Sequence, residues 1–254
     1  MSRGVALALA LLLPLAGCTG GPAERPESTR AETAAAYNLQ LGVAYLKQDK
    51  LALAREKLDR AVKQNPRDPQ IHNARALLAE KLNEPEDADR AYRAALRIAP
   101  DEPDISNNYA VFLCRTGRID EGVKRFVSVA RNKLYRAPEA AWTNAGVCLR
   151  TARRPEEAAE HFARALAVRP NHAEAMYQLA DLDLERGMLV EARSGLDRFL
   201  DTYRPTPELL LLGVRIARAQ NDRMAEERYA RRLRIEFPDS DQLRELPARR
   251  RNPG

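Results

Sequence analysis

One spacing recurs through this chain and limits what it can fold into. Small residues stand at Ala54, Ala88, Gly122, Ala158, Ala192 and Ala225, in steps of 34, 34, 36, 34 and 33 along the chain. Four positions after each comes a large apolar side chain: Leu58, Tyr92, Phe126, Phe162, Leu196 and Tyr229. Residues i and i+4 share one face of a helix, so each pair predicts a helix that sets a small and a large residue against the same neighbour. Pro66, Pro100, Pro170, Pro205 and Pro238 close most units, and Pro138 falls in an insertion after the third. Proline cannot continue a helix, so it ends one unit and opens the next turn. The period holds two short helices, neither able to bury its apolar face alone. Six such units must therefore stack into one continuous core. With only 6% aromatic residues and a chain dominated by Ala, Leu, Arg and Glu, intrinsic propensity points to helix as well.

A 34-residue period with this pattern resembles the tetratricopeptide repeat. Its markers in the opening helices are Leu41-Gly42 with Tyr45, Ala145-Gly146 after Trp142, and a weaker Leu212-Gly213. The resemblance implies an all-α superhelix of about six helix-turn-helix repeats, which we place at residues 34–238. Gly42 and Gly146 are expected to let paired helices approach closely. Asp101, Glu102 and Asp104 surround the first turn of the third unit, where a helix N-terminus favours negative charge. Unit 3 departs from the pattern, with Gly122 for Ala and no closing proline. Units 5 and 6 drift in register.

The first residues read differently. Arg3 precedes the apolar run Val5 to Leu13, which would span only about 14 Å as a helix, well short of a bilayer core. That is the layout of a signal peptide, residues 1–17. Its ending, Leu15-Ala16-Gly17-Cys18, resembles the bacterial lipobox. The resemblance implies cleavage before Cys18 and acylation there, and two or more acyl chains hold a protein stably on a membrane. An ordinary signal peptide with an incidental cysteine is the other reading. Thr19 stands where lipoproteins kept at the inner membrane often carry Asp, so the expected location is the outer membrane, facing the periplasm. Residues 18–33 then form the lipidated cysteine and a flexible tether, and residues 239–254 a polar basic tail ending Arg249-Arg250-Arg251-Asn252-Pro253-Gly254.

The formal charge of +6 is small beside 31% charged residues, and loss of residues 1–17 lowers it to +5 by removing Arg3. Without a concentrated patch this excludes nucleic acid as the expected partner. Cys114 and Cys148 lie one period apart near the ends of neighbouring first helices, within bridging reach in an oxidising compartment. Two buried free thiols remain the alternative. His72, His161 and His172 have no partner histidine at i+4 and no nucleophile beside them. Catalytic residues, metal ligands and cofactors are therefore not expected, and an enzyme is disfavoured. Repeat arrays work through the concave surface lined by their first helices. The general repeat layout places Leu39, Val43 and Leu46 there in unit 1, then Asn73 and Leu77, then Asn107, Asn108 and Val111, and then Thr143 and Asn144. The apolar trio would seat an apolar or helical segment, and the amides would pair with a peptide backbone. Packing between helices is the competing role for these positions. Too few Lys and Arg occupy them to clamp a C-terminal carboxylate.

Two stretches carry a narrower resemblance. One is Asn107-Asn108-Tyr109-Ala110-Val111-Phe112-Leu113-Cys114-Arg115-Thr116-Gly117-Arg118. The other is Leu134-Tyr135-Arg136-Ala137-Pro138-Glu139 running into Asn144-Ala145-Gly146-Val147-Cys148. With the lipobox, six repeats and Arg204-Pro205-Thr206-Pro207-Glu208, they resemble the type IV pilus biogenesis lipoproteins of the PilF/PilW pilotin family. The resemblance implies a monomeric lipoprotein that binds secretin subunits and promotes their localisation and multimerisation at the outer membrane, as pilus biogenesis and twitching require. It also implies a Cys114–Cys148 disulfide. Gly122, where that family tends to have Ala, touches packing only. The alternative is an envelope scaffold lipoprotein that recruits cell-wall hydrolases or outer-membrane assembly factors.

Overall fold

The computed structural model describes residues 27–246. The signal peptide, Cys18, the first part of the tether and the Arg249–Arg251 run lie outside the described residues. Within them all regular structure is helical. Twelve helices form six antiparallel pairs: α1 (Glu27–Lys47) with α2 (Leu51–Gln64), α3 (Pro69–Lys81) with α4 (Pro85–Ile98), and α5 (Pro103–Arg115) with α6 (Ile119–Arg131). Then come α7 (Pro138–Thr151) with α8 (Pro155–Val168), α9 (Ala173–Glu185) with α10 (Leu189–Thr202), and α11 (Pro207–Ala219) with α12 (Arg223–Glu236). Each first helix packs on its own second helix and on the first helix of the next unit. None of the described helices is long and apolar enough to cross a membrane.

The repeating pair is the core. Leu58, Tyr92, Phe126, Phe162, Leu196 and Tyr229 are all essentially fully buried, and the small residues four positions earlier are buried with them. The glycines of the first helices explain the fit. A Cβ on Gly42 would stand 2.7 Å from Leu58, on Gly146 2.5 Å from Phe162, and on Gly213 2.7 Å from Tyr229. In these three units the large side chain thus lies against the bare backbone of its partner helix.

The six turns inside the units share one backbone form. Asp49, Asn83, Gly117, Arg153, Gly187 and Asn221 all have positive φ, between 57° and 82°. The residue after each donates its N–H to a carbonyl five positions back, as Lys50 does to Tyr45 and Arg154 to Leu149. The left-handed residue itself bonds three back, as Asp49 does to Leu46. This is the Schellman ending, which satisfies the last carbonyls of a helix. Proline at the start of α3, α4, α5, α7, α8 and α11 fits the opposite end, where a missing N–H costs nothing.

One boundary differs from the sequence expectation, and the tail carries one added element. The tether was expected to run to residue 33, yet α1 starts at Glu27. After Pro26 the run Glu27-Ser-Thr-Arg-Ala-Glu-Thr-Ala-Ala-Ala contains no helix breaker and opens on an acidic residue, which suits a first turn. The polar tail was expected from residue 239, and within it α13 (Asp241–Arg244) forms a single turn. Leu243 and Leu246 pack on the apolar cluster of the last two units, so the tail begins by covering the end of the stack.

Candidate protein-binding groove

The predicted groove residues fall into three groups. Leu39, Val43 and Leu46 are half-buried, and each packs one side on the cluster of Ala54, Leu58, Ala74 and Leu78. They serve inter-helix packing first and offer a partner only the remainder of their surface. Leu77 behaves likewise against the cluster of α4 and α5. The most exposed apolar side chains of α1 are instead Tyr37 and Leu41, 65% and 45% exposed. They stand at the first unit's outer end, where none of the described helices precedes them. Val111 is 43% exposed and open.

The asparagines come together. Asn108 donates to the Asn73 side-chain carbonyl at 3.3 Å, and Asn144 donates to that of Asn107 at 3.4 Å. Each amide that donates keeps a second N–H, and each acceptor keeps both of its own, so the pairs tie α3 to α5 and α5 to α7 while leaving donors for a peptide backbone. Thr143 is buried, and its hydroxyl donates back to the Glu139 carbonyl one turn earlier, so it takes no part.

The polar file continues where the sequence reading stopped. Gln178 lies one period beyond Asn144 and accepts from Arg150 at 2.8 Å. Arg150 also contacts Asp181 and Glu185, each at 2.6 Å, and Arg215 reaches Asp181 at 3.1 Å. Burial works against the Arg150 charge, but its hydrogen bonds to Asp181 and Glu185 outweigh it and raise its pKa further above the usual arginine value. Ion pairs therefore link α7, α9 and α11; Arg150 hydrogen-bonds Asp181 Oδ2, whereas the Arg215 contact to Oδ1 is ionic only and leaves that oxygen without a hydrogen-bond partner. The signal for Gln178 and Asp181 was the period itself, since Asp181 falls one period after Val147. It was overlooked because the residue type changes from apolar to acidic.

Cys114 and Cys148 form a disulfide between α5 and α7, with Cα atoms 5.6 Å apart. Gly122 faces it: a Cβ there would stand 2.4 Å from the Cys114 sulfur. Glycine is present in unit 3 because the sulfur occupies the space that alanine fills elsewhere.

The histidines are scattered. His161 is buried and stacks on Trp142 at 5.4 Å, His72 Nε2 lies 2.8 Å from the Pro66 carbonyl, and His172 precedes α9. Burial lowers the pKa of both His161 and His172. Among the described residues no three His, Cys, Asp or Glu side chains are grouped so as to hold a metal ion.

The stacked pairs, the shared turn and the polar first-helix face define a helical-repeat scaffold for protein binding. The chain belongs to the tetratricopeptide-repeat family, whose models match residues 39–167 in overlapping stretches and 149–213. Within it, the chain is 29% identical to the type IV pilus assembly protein PilF of Pseudomonas aeruginosa over 98% of its own length and 99% of that protein. The solved structure of Pseudomonas aeruginosa PilF superposes with a TM-score of 0.65 at 28% identity, covering 85% of this chain and 97% of that one. The structure of PilW, described as a widely conserved type IV pilus biogenesis factor, gives 0.64 at 27% identity, covering 83% and 97%.

Proposed function

We propose that this protein is a pilotin, an outer-membrane lipoprotein that binds type IV pilus secretin subunits and promotes their localisation and multimerisation there. The observation that carries the reading is the end-to-end match to a type IV pilus assembly protein. The Leu-Ala-Gly-Cys18 ending supports the lipid address, and the polar first-helix face supports binding rather than catalysis. Acyl chains on Cys18 supply the location, the residues before α1 supply reach, and the first two units hold the subunit through the open surface of Leu39, Val43 and Leu46.

The test uses two variants in cells. Cys18→Ala should leave the array folded while secretin multimers disappear from the outer-membrane fraction; unchanged multimers there would sink the pilotin reading. A Leu39→Asp, Val43→Asp double variant, its fold checked by circular dichroism, should lose co-purification with secretin. Retention at parental strength would move the contact away from unit 1.

A further inference from the structure

The residue immediately before each large apolar side chain of the second helices is Lys57, Ala91, Arg125, His161, Gly195 or Arg228. In three units it covers an aromatic ring. The Arg125 guanidinium lies 4.5 Å from the Tyr109 ring centre, His161 stacks on Trp142, and Arg228 lies 5.1 Å from the Tyr229 ring. In the second and fifth units the residue is small, and at both a cavity opens. The one at Ala91 is ringed by ion pairs, Arg55 with Glu84, Arg75 with Asp59, and Arg90 with Asp87. The one at Gly195 is different. It measures about 460 Å³, and its walls are Leu166, Met176, Leu179, Phe199 and Tyr203. A Cβ on Gly195 would meet nothing within 4 Å, so the space is open at its mouth.

Three charged residues line this cavity, the acids Asp183 and Glu191 and, two turns along α10 from Glu191, the exposed Arg198. Asp183 lines it with only 9% of its surface exposed, and Glu191 stands exposed beside it. The cation nearest to Asp183 is Arg186, at 3.8 Å, beyond hydrogen-bond distance, and Arg186 also contacts Glu156 at 3.4 Å. A buried carboxylate with such weak pairing is costly, and a cation brought by an occupant would pair with it fully. The size matches ordinary ligand pockets, which are mostly apolar with a few placed polar groups.

We propose that the Gly195 cavity is a second binding site, taking a partner-protein segment that presents a long apolar side chain beside a lysine or arginine. The apolar side chain lies over Gly195 between Met176 and Phe199, and its basic neighbour meets Asp183 and Glu191. The site shares no residue with the asparagine file or with unit 1, so it does not depend on the pilotin reading.

The chain from residue 18 onward, carrying Cys18→Ala and labelled on its methionine methyl groups with carbon-13, provides the test. Met176 lines the cavity, whereas Met224 is 87% exposed and lies elsewhere. The probe is acetyl-Gly-Lys-Phe-Leu-Lys-Gly-amide, with a counterpart in which both lysines are replaced by glutamate. The basic peptide should shift the Met176 methyl signal saturably, leave Met224 in place, and bind about tenfold more tightly than the acidic one, a difference of about 1.4 kcal/mol. Gly195→Trp should fill the cavity and abolish the shift. The nearly isosteric Asp183→Asn should keep the fold and erase the preference for the basic peptide. Equal binding of the two peptides, no Met176 shift, or binding retained in a folded Gly195→Trp variant would overturn the proposal.

Discussion

Gly122 shows how one atom sets a residue. In the other units a small side chain at this position meets its neighbour without conflict, but here the Cys114 sulfur stands where a methyl would go. Gly122→Ala should destabilise the array by about 1–3 kcal/mol through overpacking. In a Cys114→Ala, Cys148→Ala background the same substitution should cost less than half as much. Denaturant unfolding of the four proteins forms the cycle that checks it, and equal costs in both backgrounds would detach Gly122 from the disulfide. Asp183 is the second single-residue case. Burial raises its pKa above the ordinary carboxylate value, with Arg186 opposing and Glu191 adding to the shift. The folded protein then holds this proton longer than the unfolded chain. The associated stability is full below the unfolded pKa near 4 and lost as pH rises through the higher folded value. Asp183→Asn should therefore stabilise the protein at pH 7, by on the order of 1 kcal/mol, and flatten this part of the pH profile. Thermal unfolding across pH 3 to 7 reads both; a lower midpoint at pH 7 would mean that the Arg186 contact outweighs burial.

At the scale of elements, the six Schellman turns recur in steps of 34, 34, 36, 34 and 34, a period more regular than that of the small residues. The sequence reading missed them because Asp, Asn, Gly and Arg share no side-chain property, only a backbone state. Asn, Asp and Gly enter that state readily, whereas arginine does so at a cost of roughly 1–2 kcal/mol. Arg153→Gly should thus raise stability by about 0.5–1 kcal/mol after allowing for the freer unfolded chain, measured as a shift of the denaturant midpoint without a change of slope. What was legible follows the same logic. The paired helices and the buried small-and-large pairs such as Ala158 with Phe162 could be read because side chains carry them, whereas the bonds of Asn108 to Asn73 and of Asn144 to Asn107 could not, since they join helices of different units. The extent of α1 and the small α13 could not, since helix ends depend on what lies beside them, as Leu243 finds on the last unit. The polar link through Arg150, Asp181 and Arg215 was hidden because it exists only once α7, α9 and α11 are neighbours. The disulfide belongs here too: closing a loop of this length restricts the unfolded chain by about 3–4 kcal/mol on the chain-entropy estimate, and it clamps the units that carry the asparagine pairs.

At the scale of the whole molecule, the start of α1 at Glu27 changes how a lipid anchor would work. Between Cys18 and that helix lie residues 19–26, which at full extension span at most about 29 Å. The expected tether of residues 19–33 was nearly twice as long. An array anchored through acyl chains on Cys18 would be held with its first unit close to the bilayer, and that unit carries the exposed Tyr37 and Leu41 and the half-buried stripe of Leu39, Val43 and Leu46. A subunit gripped there would be presented at the membrane surface, at an effective concentration set by the short linker. Deleting residues 21–26 should leave co-purification with secretin in detergent unchanged, because the array and its contacts are intact. In cells the same deletion should reduce outer-membrane secretin multimers, because the first unit can no longer turn away from the bilayer to accept a subunit. Inserting a Gly-Ser segment of equal length should restore them, since a flexible linker needs reach rather than sequence. Parental multimer levels in the deletion strain would remove reach from the mechanism and leave the lipid as address alone.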